Sequence, residues 1–265
     1  MLASTNPSLP LKHTGIVVTR PAQQADTLCR LIEAQGGTAI RFPTLEIGPP
    51  QHLQPVFALI EQLDSYDWAI FVSANAVHWG LRWIQEQRTL PPQLQRIAIG
   101  RATARALDEH GVPAHVVPTC FTSESLLALP ALQAVTGLRI IIFRGEGGRD
   151  LLGTTLRQRG ACIDYAEVYR RNLPVVAPDD LLQSWQHGEI QAVIITSNES
   201  LQNLFALVGT VGQQWLLDTP LIVISKRAQR LAQELGFRRP PRLAEEASDK
   251  AIVQALLQMV SDPNQ

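Results

Sequence analysis

The sequence predicts an α/β protein with parallel sheets covered by helices, and three observations carry that prediction. Short β-branched and apolar runs such as Ile140-Ile141-Ile142-Phe143 read as strands buried on both faces. Each run is followed by a segment with helical spacing of apolar residues, as at Leu151, Leu152, Thr155 and Leu156. The order strand, polar or glycine-bearing turn, helix then recurs along the whole chain, which is the grammar of a parallel sheet with crossover helices.

Taken in order, Thr14 to Thr19 reads as a buried strand, and Pro21 suits the first turn of the helix that carries Ala25, Leu28, Cys29 and Ile32 to a stop at Gly36-Gly37. Thr38 to Phe42 is a strand broken at Pro43, and Leu45-Glu46-Ile47 is extended. A helix over 53–63 leads to the strand 67–73, then a helix over 76–87 with Val77, Leu81 and Ile84 inward. Arg96 to Gly100 is a strand, the helix from Arg101 closes at Gly111, and Ala114 to Val117 is a short edge strand. After the strand at 140–143 come the glycine-rich turn 144–149, a helix from about Asp150 to Gly160 and a strand ending at Tyr169. The segment 170–174 is a second crossing. A helix over 179–187, a strand over 191–197 and a helix opened by Asn198-Glu199-Ser200 follow. The strand 221–225, the helix from Lys226 to Gly236 and a last amphipathic helix over 248–260 complete the chain.

An internal repeat underlies this order. Arg20 to Ser73 and Arg144 to Ser197 are both separations of 53 residues, and FVSANAV is matched by IITSNES. Taken alone, the spacing implies two sequential halves of about 120 residues. The loops after the strands gather at one sheet edge, where such sheets hold ligands.

Composition narrows the function. Of 265 residues 45% are apolar, enough for a large core, and the net charge of −1 excludes a general nucleic-acid surface. No run approaches a membrane span, and residues 1–13 read as a loose polar tail without a signal peptide. Cys29, Cys120 and Cys162 are odd in number and far apart, so they read as reduced thiols of a cytoplasmic protein. The histidines show no ligand spacing, so no metal is expected.

The candidate site residues cluster in the strand-to-helix loops. Arg20, Arg101, Arg144, Arg149, Lys226 and Arg227 all fall there, and several cations at equivalent loops suggest a shared anionic ligand. Ser73 with Asn75, and Ser197 with Asn198, are either helix caps or donors to carboxylates. The turn Gly145-Glu146-Gly147-Gly148 serves close packing or substrate contact; Asp150 stands where a dinucleotide loop needs its third glycine. Tyr169 is half-buried packing or a donor into a cleft. No nucleophile elbow is present, and no histidine lies in these loops.

As a set, Thr19-Arg20-Pro21, Phe71-Val72-Ser73-Ala74-Asn75-Ala76-Val77, Ile99-Gly100 with Thr103-Ala104, Arg144-Gly145 with Gly148-Arg149, Val168-Tyr169 and Thr196-Ser197 resemble the uroporphyrinogen-III synthase family from about Gly15 to Leu257. Lys226-Arg227-Ala228 departs from it, since the family more often has a hydroxyl residue before alanine. The resemblance implies two flavodoxin-like domains that exchange segments: 14–44 with 172–265, and 45–171, joined by two extended linkers with a substrate cleft between them. It implies cyclisation and dehydration of the linear tetrapyrrole hydroxymethylbilane to uroporphyrinogen III, with ring D inverted, by a cofactor-free monomeric lyase. Tyr169 would then assist loss of the hydroxyl. Arg20, Ser73, Ala74, Asn75, Arg101, Thr103, Arg144, Gly145, Gly148, Arg149, Ser197, Asn198, Ser225, Lys226 and Arg227 would hold the substrate's carboxylates. The competing reading is a two-lobed small-anion binding or regulatory module without catalysis.

Overall fold

The computed structural model describes residues 9–118 and 122–262. Its strands, in chain order, are β1 (Gly15–Val18), β2 (Thr38–Arg41), β3 (Glu46–Gly48), β4 (Trp68–Phe71), β5 (Gln95–Ala98), β6 (Arg139–Gly145), β7 (Cys162–Asn172), β8 (Ala192–Ile195), β9 (Leu221–Val223) and β10 (Arg242–Leu243). The chain divides into two compact units, Met1–Glu46 with Asn172–Gln265, and Ile47–Arg171.

In the first unit the strands run in the order β10-β9-β8-β1-β2, all parallel. Side chains alternate across the sheet with period two. Ile16, Val18, Ala192, Ile194 and Ile222 face the helices Ala22–Ala34 and Asp249–Ser261. Val17, Val193, Ile195, Leu221 and Val223 face a second core built with Leu181, Trp185, Leu201, Leu204 and Leu216. Both faces being buried explains why these strands are unbroken apolar runs.

The second unit has the order β3-β7-β6-β4-β5. On one face Ile70, Ile97, Ile140 and Ile142 pack on Leu126, Leu152 and Leu156. The rings of Phe71 and Phe143 stack 4.7 Å apart. Between β6 and β7 the register is interrupted: Arg144 pairs with Glu167 and Gly145 with Tyr169, so the pairing skips Val168.

The sheet orders correct the picture of two sequential halves. β1 and β2 sit in one sheet with β8, β9 and β10. The physical reason lies in pairing: a repeat fixes distances along the chain, whereas any apolar parallel strand can lie beside any other of like length.

Smaller expectations are also corrected. Residues 9–13 are not loose: Leu11 is fully buried in the first unit's core, and its N–H donates to Gln35 O at 2.9 Å. Its apolar side chain fills space beside Gly37. Residues 1–8, and Cys120 with them, lie outside the described residues. Ala114 to Val117, flanked by Pro113 and Pro118, forms only an isolated bridge from Val116 to Ile97. A helix not foreseen, Gly209–Asp218, follows a break at Gly209, whose φ of +61° ends the helix before it.

Candidate functional site

Numbered by place in the sheet, the first unit reads β2-β1-β8-β9-β10, the flavodoxin order 2-1-3-4-5. The second unit reads β5-β4-β6-β7-β3, the same order with its fifth place filled by the strand that comes first in the chain. Order reverses between β1 and β8 in one sheet and between β4 and β6 in the other. Ligands of such sheets bind outside the carboxyl ends at that reversal. Those ends carry Thr19-Arg20 and Thr196-Ser197 in the first unit, and Val72-Ser73 and Arg144-Gly145 in the second.

Serine caps recur at these edges. Ser73, Ser197 and Ser225 hold extended backbone and accept the N–H of the third residue on, Ala76 at 3.0 Å, Ser200 at 3.0 Å and Ala228 at 3.2 Å. Ala74 and Asn75, Asn198, and Lys226 and Arg227 therefore occupy first turns, where backbone N–H groups lack helical partners and favour negative charge. Arg101 opens the next helix of the second unit, behind Gly100, and is exposed, while Thr103 is buried at 3% exposure.

In the first unit Arg20 reaches Asp249 Oδ1 at 2.5 Å, so its charge is matched within the unit. Beneath this edge lies a closed chain of hydroxyls. Thr19 donates to Ile194 O, Ser200 donates to Thr19, and Ser200 and Thr44 are 2.7 Å apart. These three side chains are buried, and each hydroxyl has a partner. They fix the ends of β1 and β8 and the start of the Asn198–Leu207 helix relative to one another.

In the second unit a hollow of about 340 Å³ opens at the carboxyl edge, and its walls include Ser73, Arg144, Gly145, Gly148, Arg149 and Tyr169. Tyr169 is 1% exposed, and its phenol oxygen is 3.2 Å from Ser73 Oγ. Gly145 makes room for the ring. Gly147, at φ +69°, turns the loop that follows. Arg144 braces that loop. Its guanidinium meets Asp150 at 2.8 Å, Gly148 O at 2.9 Å and Glu167 at 3.3 Å, and lies over the Tyr165 ring. Its Nε is buried with no hydrogen-bond partner. Arg149 is exposed at the rim.

The hollow thus gathers six of the expected residues, while Ala74, Asn75, Arg101 and Thr103 do not line it. It also contains Arg171, absent from the expected set. Arg171 Nη2 lies 3.5 Å from the Tyr169 phenol oxygen, and its guanidinium carbon is 6.0 Å from the ring centroid. The signal for it was present: a residue two beyond Tyr169 on an extended strand shares its face. Among the described residues no cluster of three or more metal-binding side chains is found, and no helix is long and apolar enough to cross a membrane.

The fold and these edges define a two-unit α/β protein whose sheets each present serine-capped and arginine-bearing loops suited to carboxylates. A family model described as uroporphyrinogen-III synthase HemD matches residues 26–254. The chain is 35% identical to the uroporphyrinogen-III synthase of Escherichia coli K12 over 91% of its length and 99% of that protein. It is 33% identical to that of Salmonella typhimurium, with 91% and 99% covered. A crystal structure of a mutant uroporphyrinogen III synthase from the extremely thermophilic bacterium Thermus thermophilus superposes with a TM-score of 0.63 at 18% identity, covering 94% of this chain and 99% of that one. The Helicobacter pylori 26695 protein superposes at 0.59 and 17% identity, covering 93% and 99%. The chain belongs to the uroporphyrinogen-III synthase family.

Proposed function

We propose that the second unit's hollow holds the reacting end of the substrate, with Tyr169 beside the departing hydroxyl, and that the serine-capped, arginine-bearing loops at its carboxyl edge hold carboxylates of the substrate. As a member of its family the chain is a lyase that converts hydroxymethylbilane to uroporphyrinogen III in tetrapyrrole synthesis. The observation that carries the residue assignment is the Ser73–Tyr169 pair, 3.2 Å apart in that hollow.

The chemistry needs little from the protein. The pyrrole nitrogen's lone pair expels the terminal hydroxyl, the C–O bond breaks, and the oxygen leaves as water after taking a proton. Tyr169 supplies or relays that proton through its phenol, which Ser73 orients. The resulting cationic azafulvene is attacked by the substituted carbon of ring D, and the spiro intermediate rearranges and closes with loss of a proton, which replaces the one given to the departing hydroxyl. An open chain left free closes instead without inversion, so the protein's main task is positioning. First-turn N–H groups behind Ser73, Ser197 and Ser225, with Arg101, Arg149, Lys226 and Arg227, suit a polycarboxylate without demanding acid–base side chains. With this reading go a monomer that needs no cofactor and a cytoplasmic location, the last in keeping with the free thiols of Cys29 and Cys162.

The test is incubation with freshly prepared hydroxymethylbilane, oxidation of the product and chromatographic separation of the porphyrin isomers. Isomer III as the main product supports the reading. Isomer I alone contradicts it.

A further inference from the structure

We propose that Trp83 is a positioning residue for Tyr169, acting through the bulge at Val168. This rests on the assignment of Tyr169 given above, and it concerns a residue that lies outside the hollow.

β6 and β7 pair residue for residue until Arg144 faces Glu167; then Gly145 faces Tyr169 and Val168 is skipped. A bulge of this kind shifts the strand by one residue and re-aims the side chain that follows. Tyr169 is that side chain. The skipped residue is not fixed by pairing to β6, so another contact must hold it on that side.

Trp83 supplies one. It stands on the helix Ala74–Gln87, 5% exposed, and its indole Nε1–H donates to Val168 O at 2.8 Å in buried surroundings. The indole is itself held: Phe57 meets it edge-on at 6.3 Å, and Trp79 lies 5.4 Å away. The same helix begins at Ser73, whose hydroxyl meets the Tyr169 phenol. One rigid helix therefore grips the end of β7 at two points, the carbonyl before Tyr169 and the tip of its side chain. A donor in a buried place is expensive to leave unmade, so the indole fixes the bulge as firmly as the bulge fixes the indole.

The test uses the full chain with Trp83→Phe, which keeps an aromatic ring against Phe57 and removes the donor. Three readouts are taken: kcat and KM with hydroxymethylbilane, the same in a Tyr169→Phe background, and nitration of individual tyrosines by tetranitromethane, located by peptide mapping. We expect kcat to fall about three- to tenfold with KM within about twofold, and this loss to vanish when Tyr169 is already Phe. We expect nitration of Tyr169, shielded in the parent, to rise severalfold while that of buried Tyr66 does not change. An equal loss of kcat in both backgrounds, or nitration rising equally at Tyr66 and Tyr169, marks a general loosening and overturns the proposal. So does an unchanged kcat with unchanged nitration. If the parent protein yields only isomer I, the catalytic assignment fails, and the nitration pattern alone then decides whether Trp83 holds Tyr169.

Discussion

Tyr169 lies so close over Gly145 that a Cβ built on the glycine would stand 2.7 Å from Cζ of the ring and 3.1 Å from the phenol oxygen. Real side chains do not approach so closely. Gly145 is thus a glycine because of its neighbour's ring, and its backbone stays in the β6 strand with no left-handed conformation to explain. Gly145→Ala must push the ring aside. Overpacking of this kind costs about 1–3 kcal/mol, readable by urea denaturation. Activity is expected to fall by more than stability accounts for, about tenfold in kcat, because the displaced group is the phenol.

Ser73 has two jobs, capping its helix and meeting Tyr169. Ser73→Ala removes both and should cost about 1 kcal/mol of stability. Ser73→Asp keeps a cap acceptor, yet brings a carboxylate to the edge proposed above to receive the substrate's carboxylates. Stability near the parent's with KM raised severalfold is the expected result for Asp, read from steady-state kinetics beside thermal melts.

Arg144 is 8% exposed in its side chain, whereas its partners Asp150 and Glu167 are 71% and 43% exposed. Its loss leaves those carboxylates in water rather than stranded, so Arg144→Met should cost only about 1–3 kcal/mol. The larger effect should be on the 145–149 turn. Lys at this position cannot reproduce the fork that reaches Asp150, Gly148 O and Glu167 together. Arg144→Lys should therefore leave the turn nearly as mobile as Arg144→Met, visible as faster amide exchange at residues 146–149.

At the opposite edge of that sheet, Tyr66 donates to Asp164 at 2.8 Å. Burial first, and then Asp164, push its phenol up to about 12 from an ordinary 10.0. The folded state thus holds this proton more tightly than the unfolded chain. The contribution is fully present below about pH 10 and is lost as pH rises towards about 12. Unfolding free energies measured across pH 9 to 12 should fall less steeply in Tyr66→Phe than in the parent. Parallel slopes would remove Tyr66 from the account.

Much of the fold was legible because buried parallel strands write themselves as apolar runs, as at Ile140 to Phe143 and Ala192 to Ile195. Ser73, Ser197 and Ser225 were legible as caps because capping is local chemistry. What was not legible depends on partners distant in sequence. The repeat could not show that β1 pairs with β8, because pairing partners are chosen by three-dimensional fit. Neither did Glu167-Val168-Tyr169 announce a bulge, since no glycine marks it and its anchor lies at Trp83. Arg20 and Arg144 looked like open cations, yet Asp249, Asp150 and Glu167 meet them. Arg20's partner is 229 residues along the chain, beyond any local pattern.

In the proposed reaction geometry chooses the product and Tyr169 only eases departure of the hydroxyl. The most direct measurement is the isomer ratio and kcat of Tyr169→Phe, checked as folded by circular dichroism. Isomer III should still be the main product, with kcat lowered about tenfold or less. A folded variant with no detectable turnover, or one that releases mainly isomer I, would contradict it.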